Sequence, residues 1–513
     1  MNESVGRLRL PQEQDAALQH PAIADFEQQH EAPVAPAPIA PTPATPLVVD
    51  LDGTLVETDL LLESIARLLR QQPLTLLALP LWLLRGRANL KREVAQRVEL
   101  DPTLLPYRTA LIDYLRAERN KGRPIVLATA SNERSANDLA AHLKLFDRVM
   151  ASDGSTNLSG ERKRARLVEQ FGERGFDYVG NEFRDLPVWA SARRAIVVNR
   201  NPRLLRAVAR VADYESAFAD RSATARDYLS ALRPKHWLKN LLVFVPVFSA
   251  HLFLIPELLA RTFVAFVAFC CCASAGYLVN DLLDLQADRR HPQKRQRPFA
   301  SGRLPLTYGL LMAPALVALG CLLAGMLSGL SLGILLFYFV LTLAYSIELK
   351  QVALLDILVL ASLYTLRIVA GSAAIAVWPS VWLLGFSMFL FTSLAFVKRY
   401  AELVIMRGIE GDHATARGYQ LSDAELLASK GTASGYAAVL VLALYIASGA
   451  VKTQYSRHEL IWLVCPLLLY WLGYVWLIAH RGKMYHDPLV FALCDRTSRI
   501  LTLLMLGIVL LAI

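Results

Sequence analysis

Residues Asn280 to Asp288 read N-D-L-L-D-L-Q-A-D. The run closes an apolar stretch, Phe263 to Val279, and opens a basic one with Arg289, Arg290, Lys294, Arg295 and Arg297. On a helix, Asp281, Asp284 and Asp288 stand at i, i+3 and i+7 and share one face, with Asn280 at its border. Carboxylates so placed repel one another unless a cation lies between them. Mg²⁺ is such a cation, and it takes oxygen ligands together with substrate phosphates. Ionisable groups at the end of a membrane helix point to function. The plainer alternative is a solvated helix end whose acids pair with the arginines that follow.

A second acidic group, Asp50-Leu51-Asp52-Gly53-Thr54, directly follows a short apolar run. A carboxylate at a strand end can attack phosphorus and form an aspartyl-phosphate. A second carboxylate two residues on points the same way; it can protonate the leaving oxygen and then activate water. Mg²⁺ and a lysine would neutralise the phosphoryl oxygens.

The elements that must position these groups differ between the two halves. The chain has 513 residues, 54% of them hydrophobic, with a mean hydropathy of +0.36. The first half has ordinary charge density and the second is a series of long apolar runs, so a soluble domain followed by a membrane domain is expected. A net charge of +10 fits cytoplasmic loops rich in Lys and Arg and anionic substrates. No basic patch interleaved with aromatics is present, so nucleic acid is not an expected partner. Cys270, Cys271, Cys272, Cys321, Cys465 and Cys494 lack metal-site spacing and read as small core residues in a reducing context.

Residues 1–46 are Pro/Ala-rich and polar, show no signal peptide and are expected to be disordered. Residues 47–212 read as one α/β domain with buried parallel strands at Leu47–Val49, Ile125–Leu127, Tyr178–Val179 and Ala195–Val198. A mostly helical insertion fills about 58–120. Within it, Leu74 to Leu84 is apolar but too short to span a bilayer. It is expected to pack within the cap; the alternative is that it dips into a membrane interface. A linker, 213–232, leads to an all-helical membrane domain, 233–513. Nine spans are expected there, near 238–254, 259–283, 306–327, 329–347, 353–376, 379–398, 433–451, 459–480 and 497–513. Loop Lys and Arg place the N-terminal domain and the acidic cluster in the cytoplasm and the C-terminus outside, in an inner (plasma) membrane.

The soluble motifs resemble those of the haloacid dehalogenase (HAD) phosphatases. Asp50-x-Asp52 is followed in order by Thr129 in VLATAS, Lys163 in GERKRARL, and Gly180-Asn181-Glu182-Phe183-Arg184-Asp185. The resemblance implies a Rossmannoid α/β fold with a helical cap, with Asp50 as nucleophile and Asp52 as acid/base. Thr129 and Lys163 would be phosphate clamps, and Asp185 and Asn181 would sit at the Mg²⁺ site with Asp50 and Asp52. Asn181 stands where the family usually has Asp, which opens the alternative of a binding or scaffold module without turnover.

The spans and the N-D-x-x-D-x-x-x-D motif resemble the UbiA prenyltransferase superfamily. That resemblance implies that Asn280, Asp281, Asp284 and Asp288 hold Mg²⁺ and a diphosphate. Members usually carry a second acidic cluster after span six, whereas this chain has Lys398, Arg399 and Glu402 there. Four segments resemble the decaprenyl-phosphate phosphoribosyltransferases more closely: LRPKHWLKN (232–240), NDLLDLQADRRHPQKRQRPFASG (280–302), YSIELKQVALLD (345–356) and FVKRYAEL (396–403). This implies phosphoribosyl pyrophosphate as donor and a polyprenyl phosphate as acceptor. Lys239, Lys294, Arg295, Arg297, Tyr345, Lys350, Asp356, Lys398 and Arg399 are then candidate substrate-binding residues. The rival reading is prenyl transfer from a diphosphate to an aromatic acceptor.

Overall fold

The computed structural model describes residues 45–153, 156–199, 201–215, 218, 223–410, 415–416, 418–484 and 487–513. All but the last two residues of the expected disordered tail lie outside this set.

The apolar runs of the N-terminal half pair into one parallel sheet. Its strands are β1 (Leu47–Val49), β2 (Ile125–Asn132), β3 (Arg148–Ser152), β4 (Asp177–Gly180), β5 (Ala195–Val197) and β6 (Tyr214–Glu215), in the order β3-β2-β1-β4-β5-β6. Val48 of the central β1 lies between Val126 and Tyr178. Leu47 and Val49 face one core layer with Leu111, Leu115 and Val179, and Val48 faces the other with Tyr178 and Trp189. A strand buried on both faces reads as a continuous apolar run, which is why β1, β2, β4 and β5 were visible in the sequence. β3 opens with an exposed Arg148, and β6 is a two-residue exposed edge just past residue 212.

Helices Leu60–Gln71, Leu79–Leu84, Arg87–Arg97 and Thr109–Asn120 fill the insertion between β1 and β2. The first is capped by Asp59, whose carboxylate accepts from Leu62 N at 3.1 Å. One expectation fails here. The Leu74–Leu84 segment does not pack its apolar face inside the cap: Leu74, Leu77 and Leu84 are 80–85% exposed. Trp82 takes the available core space, against Leu68, Leu90, Val94 and Val98.

In the second half, seven helices among the described residues are long and apolar enough to cross a membrane: Pro256–Leu283, Leu306–Leu327, Gly329–Ile347, Leu355–Ala374, Val381–Met406, Leu421–Ala447 and His458–His480. The two outermost expected spans fall short of that length. Residues 238–254 belong to a 3₁₀ helix, Pro234–Phe244, and a short α-helix, Val245–Ser249. Pro246 stands in the first turn of that short helix, where its missing N–H leaves no bond back to the 3₁₀ segment. The last helix, Arg496–Ala512, has 17 residues, roughly 26 Å, against a hydrocarbon core of about 30 Å. The 3₁₀ segment lies hard against Leu355–Ala374, because a Cβ at Gly371 would come within 2.0 Å of the Val243 carbonyl oxygen. Only glycine permits that approach.

The Pro256–Leu283 helix has 28 residues, about 42 Å, so some two turns project beyond a ~30 Å core. Its C-terminal end carries Asn280 and Asp281. The helix breaks at Asp284 (φ −96°, ψ 10°) and restarts at Leu285–Arg290. The three aspartates therefore lie on two helices with a corner between them, not on one continuous face.

Candidate active sites

In the soluble half, β1 ends at the first acid. Asp50 is buried and accepts from Lys163 Nζ at 2.7 Å. Lys163 also donates to Tyr178 Oη at 3.0 Å, and Tyr178 donates to Asp185 at 2.8 Å. Asp52 accepts from the Leu60 backbone N–H at 2.9 Å and from Ser131 Oγ at 2.5 Å. Burial, opposed by Lys163, pushes Asp50 up to about 6. Burial and the neighbouring Asp59 push Asp52 up to about 7, a value suited to exchanging protons near neutral pH. Thr129 is fully buried and accepts from the Ser131 N–H. Asn181 accepts from Thr54 Oγ1 at 3.1 Å. A Cβ at Gly53 (φ +73°) would sit 2.3 Å from Asn181 Nδ2, so this turn needs glycine twice over. Lys91 from the cap donates to Ala130 O at 2.5 Å and Asn157 Oδ1 at 3.0 Å, beside these acids.

Asp50, Asp52, Thr129, Lys163, Asn181 and Asp185 thus gather at the ends of β1, β2 and β4. Asp185 differs from its expected part. Besides Tyr178, its carboxylate accepts from the N–H groups of Asn181 and Glu182 at 3.1 and 3.0 Å, which fixes the loop. Asp50, Asp52 and the Asn181 carbonyl are all oxygen donors, the type Mg²⁺ takes.

In the membrane half, a cavity of about 440 Å³ opens between the helices. Asn280, Asp284 and Asp288 line one wall, and Lys239, Arg367 and Lys398 line others. Lys294, Arg297, Tyr345 and Lys350 also face it. Among the described residues, seven lysines and arginines line this space against four aspartates and glutamates. Arg297 donates to Asp288 at 2.6 Å and to Asp281 at 3.2 Å, and Arg233 also bonds Asp281. Arg297 thus bridges these two carboxylates, and the donor set of the corner is all oxygen, the type Mg²⁺ takes. Among the described residues, no three acids, histidines or cysteines are grouped closely enough to hold a metal unaided.

Across the cavity, Asp487 accepts from Lys239 at 2.6 Å, Lys398 at 3.3 Å and Tyr364 Oη at 3.0 Å.

Residues 243–493 match the UbiA prenyltransferase family, and residues 47–188 match the haloacid dehalogenase-like hydrolases. The uncharacterized protein y4nM of Sinorhizobium fredii is 37% identical over 457 residues, 88% of each chain. Nodulation protein NoeC of Azorhizobium caulinodans is 38% identical over 284 residues, 55% of this chain and 92% of that one. The chain carries a UbiA prenyltransferase family domain. It carries a HAD-like domain at its N-terminal side. A decaprenyl-phosphate phosphoribosyltransferase of Corynebacterium glutamicum is 39% identical over 181 residues, 34% of this chain and 54% of that protein.

The UbiA-family cavity gathers most, but not all, of the expected residues. Arg295 lies outside it, in a cleft with Arg289 and the cap residues Tyr107 and Arg108. Asp356 and Arg399 form a closed ion pair, 0% and 1% exposed in their side chains. Arg399 also donates to Tyr345 Oη at 2.5 Å and to Glu402 at 2.6 Å, and Tyr419 Oη donates to Asp356 at 2.5 Å. This pair holds two cavity-wall residues, Tyr345 and Glu402, in place. Asp487, Arg367, Asn240 and Tyr364 were not anticipated. Arg367 donates to Asn240 Oδ1 at 2.8 Å and Tyr338 Oη at 2.7 Å. An arginine in the middle of an apolar run was a readable signal. Asp487, far along the chain in a short connection, had only the Asp-Pro helix start to mark it.

One helix touches both sites. The N–H of Leu60, the first residue of Leu60–Gln71, holds Asp52. Near its other end Arg70 pairs with Asp284, and Arg67 bonds Gln286. Between them, Glu63 receives Arg289 at 2.8 and 2.5 Å in a buried bidentate pair. The cap of the HAD-like domain is thereby clamped to the acid corner of the UbiA-family domain.

Proposed function

We propose that the chain is a bifunctional membrane enzyme. The UbiA-family half transfers 5-phosphoribose from phosphoribosyl pyrophosphate to a polyprenyl phosphate, and the HAD-like half then removes the 5-phosphate. The carrying observation is the cavity's charge pattern: one acid corner faces walls lined by Lys239, Arg367 and Lys398. An acid corner suits a metal-bound diphosphate, and the surplus of cations suits two further phosphates. Lys239 and Lys398 converge on the single carboxylate of Asp487, and a neutral aromatic acceptor would add no second anion to balance them. The acids of the far wall, Asp487 and Glu402, are each held by a cation.

In this reading Asn280, Asp284 and Asp288, with Asp281 behind them, hold Mg²⁺ and the donor's diphosphate. Bound Mg²⁺ would supply charge neutralisation that improves diphosphate as a leaving group. Lys294, Arg297 and Lys350 hold donor oxygens, and Lys239 and Lys398 hold the lipid phosphate. An oxygen of the lipid phosphate attacks the anomeric carbon, and the bond from that carbon to diphosphate breaks. In the second site the Asp50 carboxylate attacks the 5-phosphate while Asp52 protonates the departing sugar oxygen. Asp52 then takes a proton from the water that frees inorganic phosphate. Lys163 and Thr129 steady the phosphoryl group. Both sites face the cytoplasm in this proposal, and fusion raises the effective concentration of the lipid-linked intermediate.

The test uses the full chain in lipid with labelled phosphoribosyl pyrophosphate, polyprenyl phosphate and Mg²⁺. Label should enter the lipid phase, and Asp284→Asn should lower that by at least about 100-fold while hydrolysis of a water-soluble phosphate ester persists. Prenylation of a hydroxybenzoate from a prenyl diphosphate would overturn the donor assignment.

A further inference from the structure

The cap carries an apolar face that its own domain does not use. From Pro73 to Leu84 no residue is charged. Leu74, Leu77, Leu81 and Leu84 follow at intervals of three and four and are 81, 80, 52 and 85% exposed. Residues at that spacing share one side of a helical segment. The segment is not loosely folded, since Trp82 is buried beneath it against Leu68 and Val94. Contiguous exposed leucines of this kind mark a contact surface.

The neighbouring elements indicate what covers it. The preceding helix, Leu60–Gln71, is fixed to the end of the Pro256–Leu283 span by Glu63–Arg289. Its Leu62 and Ala66 pack with Leu278, Leu282 and Leu306 of the membrane helices. The leucine face begins four residues after Arg70, at the rim of the bilayer-spanning half. Arg85 and Arg87, both exposed, flank it, as cations flank segments that lie in an anionic lipid interface.

We infer that the cap inserts Leu74, Leu77, Leu81 and Leu84 into the headgroup region of the same membrane that the helices cross. The HAD-like site then opens beside the lipid surface, and its preferred substrate class is a phosphate ester carried on a membrane lipid. This second statement rests on the proposed function; the lipid contact does not.

The test uses the full chain in nanodiscs of phosphatidylcholine with phosphatidylglycerol. A fluorophore is attached at Leu77→Cys in a Cys494→Ser background, with Arg166→Cys, on an exposed helix of the same domain, as control. Lipids bearing a nitroxide high on the acyl chain should quench the probe at 77 and not at 166, while aqueous iodide should quench 166 more. Equal iodide quenching at both positions, with none from lipid nitroxide, would overturn the inference. So would shielding at 77 that appears only with two chains per disc, which would mean a second copy covers the face. Separately, replacing Leu74, Leu77 and Leu84 with Ser should reduce hydrolysis of a lipid-linked phosphate and leave a soluble phosphate ester unaffected. Equal loss on both substrates would mean the leucines serve only the cap's fold. If the probe is lipid-quenched but lipid-linked phosphates are never hydrolysed, the membrane contact stands and the proposed substrate falls.

Discussion

Replacing Glu63 with Ala should loosen the clamp between the two halves by a large, measurable amount. Glu63 and Arg289 are 1% and 5% exposed in their side chains, and the pair is bidentate at 2.8 and 2.5 Å. Arg289 has one further acceptor, Ala300 O at 2.8 Å. In Glu63→Ala the guanidinium stays buried with a carbonyl in place of a carboxylate. Breaking a buried pair from one side costs about 3–5 kcal/mol, whereas replacing both partners with apolar groups is often close to neutral. For a domain of this size, about 2–4 °C per kcal/mol gives a fall of roughly 6–20 °C in the unfolding midpoint. The assay is heat inactivation of soluble phosphate-ester hydrolysis by the full chain in detergent. Glu63→Gln, which still accepts from the guanidinium, should fall less, and Glu63→Ala with Arg289→Met should recover much of the loss. A fall below about 2 °C for Glu63→Ala, or a double variant as unstable as the two single losses combined, would refute the reasoning.

Two further outcomes follow from the HAD-like site. Asp52 is pushed up to about 7 and Asp50 to about 6, so the fold binds their protons more tightly than the unfolded chain does. That stability is fully present below the ordinary carboxylate range and is lost as pH rises toward about 7. In EDTA the protein should therefore melt at a lower temperature at pH 8 than at pH 5, and Asp52→Asn, uncharged at every pH, should flatten the difference; an unchanged slope contradicts it. Asn181→Asp adds a carboxylate beside Asp50 and should lower the Mg²⁺ concentration giving half-maximal phosphate-ester hydrolysis, read by titration, with no change in transfer by the other site.

The legible parts of the molecule share a physical cause. β1, β2, β4 and β5 are buried on both faces, so burial wrote them as apolar runs. Chemistry-bearing residues clustered in sequence, such as Asp50 with Asp52 and Asn280 to Asp288, could be read because the chain itself holds them together. What could not be read was pairing across the fold. Arg399 reads as a phosphate ligand, yet Asp356 of another helix pairs with it, and Tyr419 of a short strand donates to that Asp356. Asp487 entered the cavity only because Lys239 and Lys398 meet it there. The Leu74–Leu84 segment has the composition of a core helix, and composition alone cannot say whether its leucines face protein or lipid. Of the nine expected spans, seven among the described residues are long and apolar enough to cross a membrane; at the two ends apolar composition continues, but the helix is 3₁₀ or short.

The most direct test of the two-step account is the mass of the lipid product. Full-length wild type and Asp50→Asn are each incubated with phosphoribosyl pyrophosphate, Mg²⁺ and a polyprenyl phosphate, and the lipid extract is read by mass spectrometry. Wild type should yield lipid-linked ribose and release inorganic phosphate, while Asp50→Asn should accumulate lipid-linked phosphoribose, heavier by one phosphate group. Identical, still phosphorylated products from both proteins would show that the HAD-like site does not act on this intermediate, and no lipid-linked pentose from either would contradict the transfer itself.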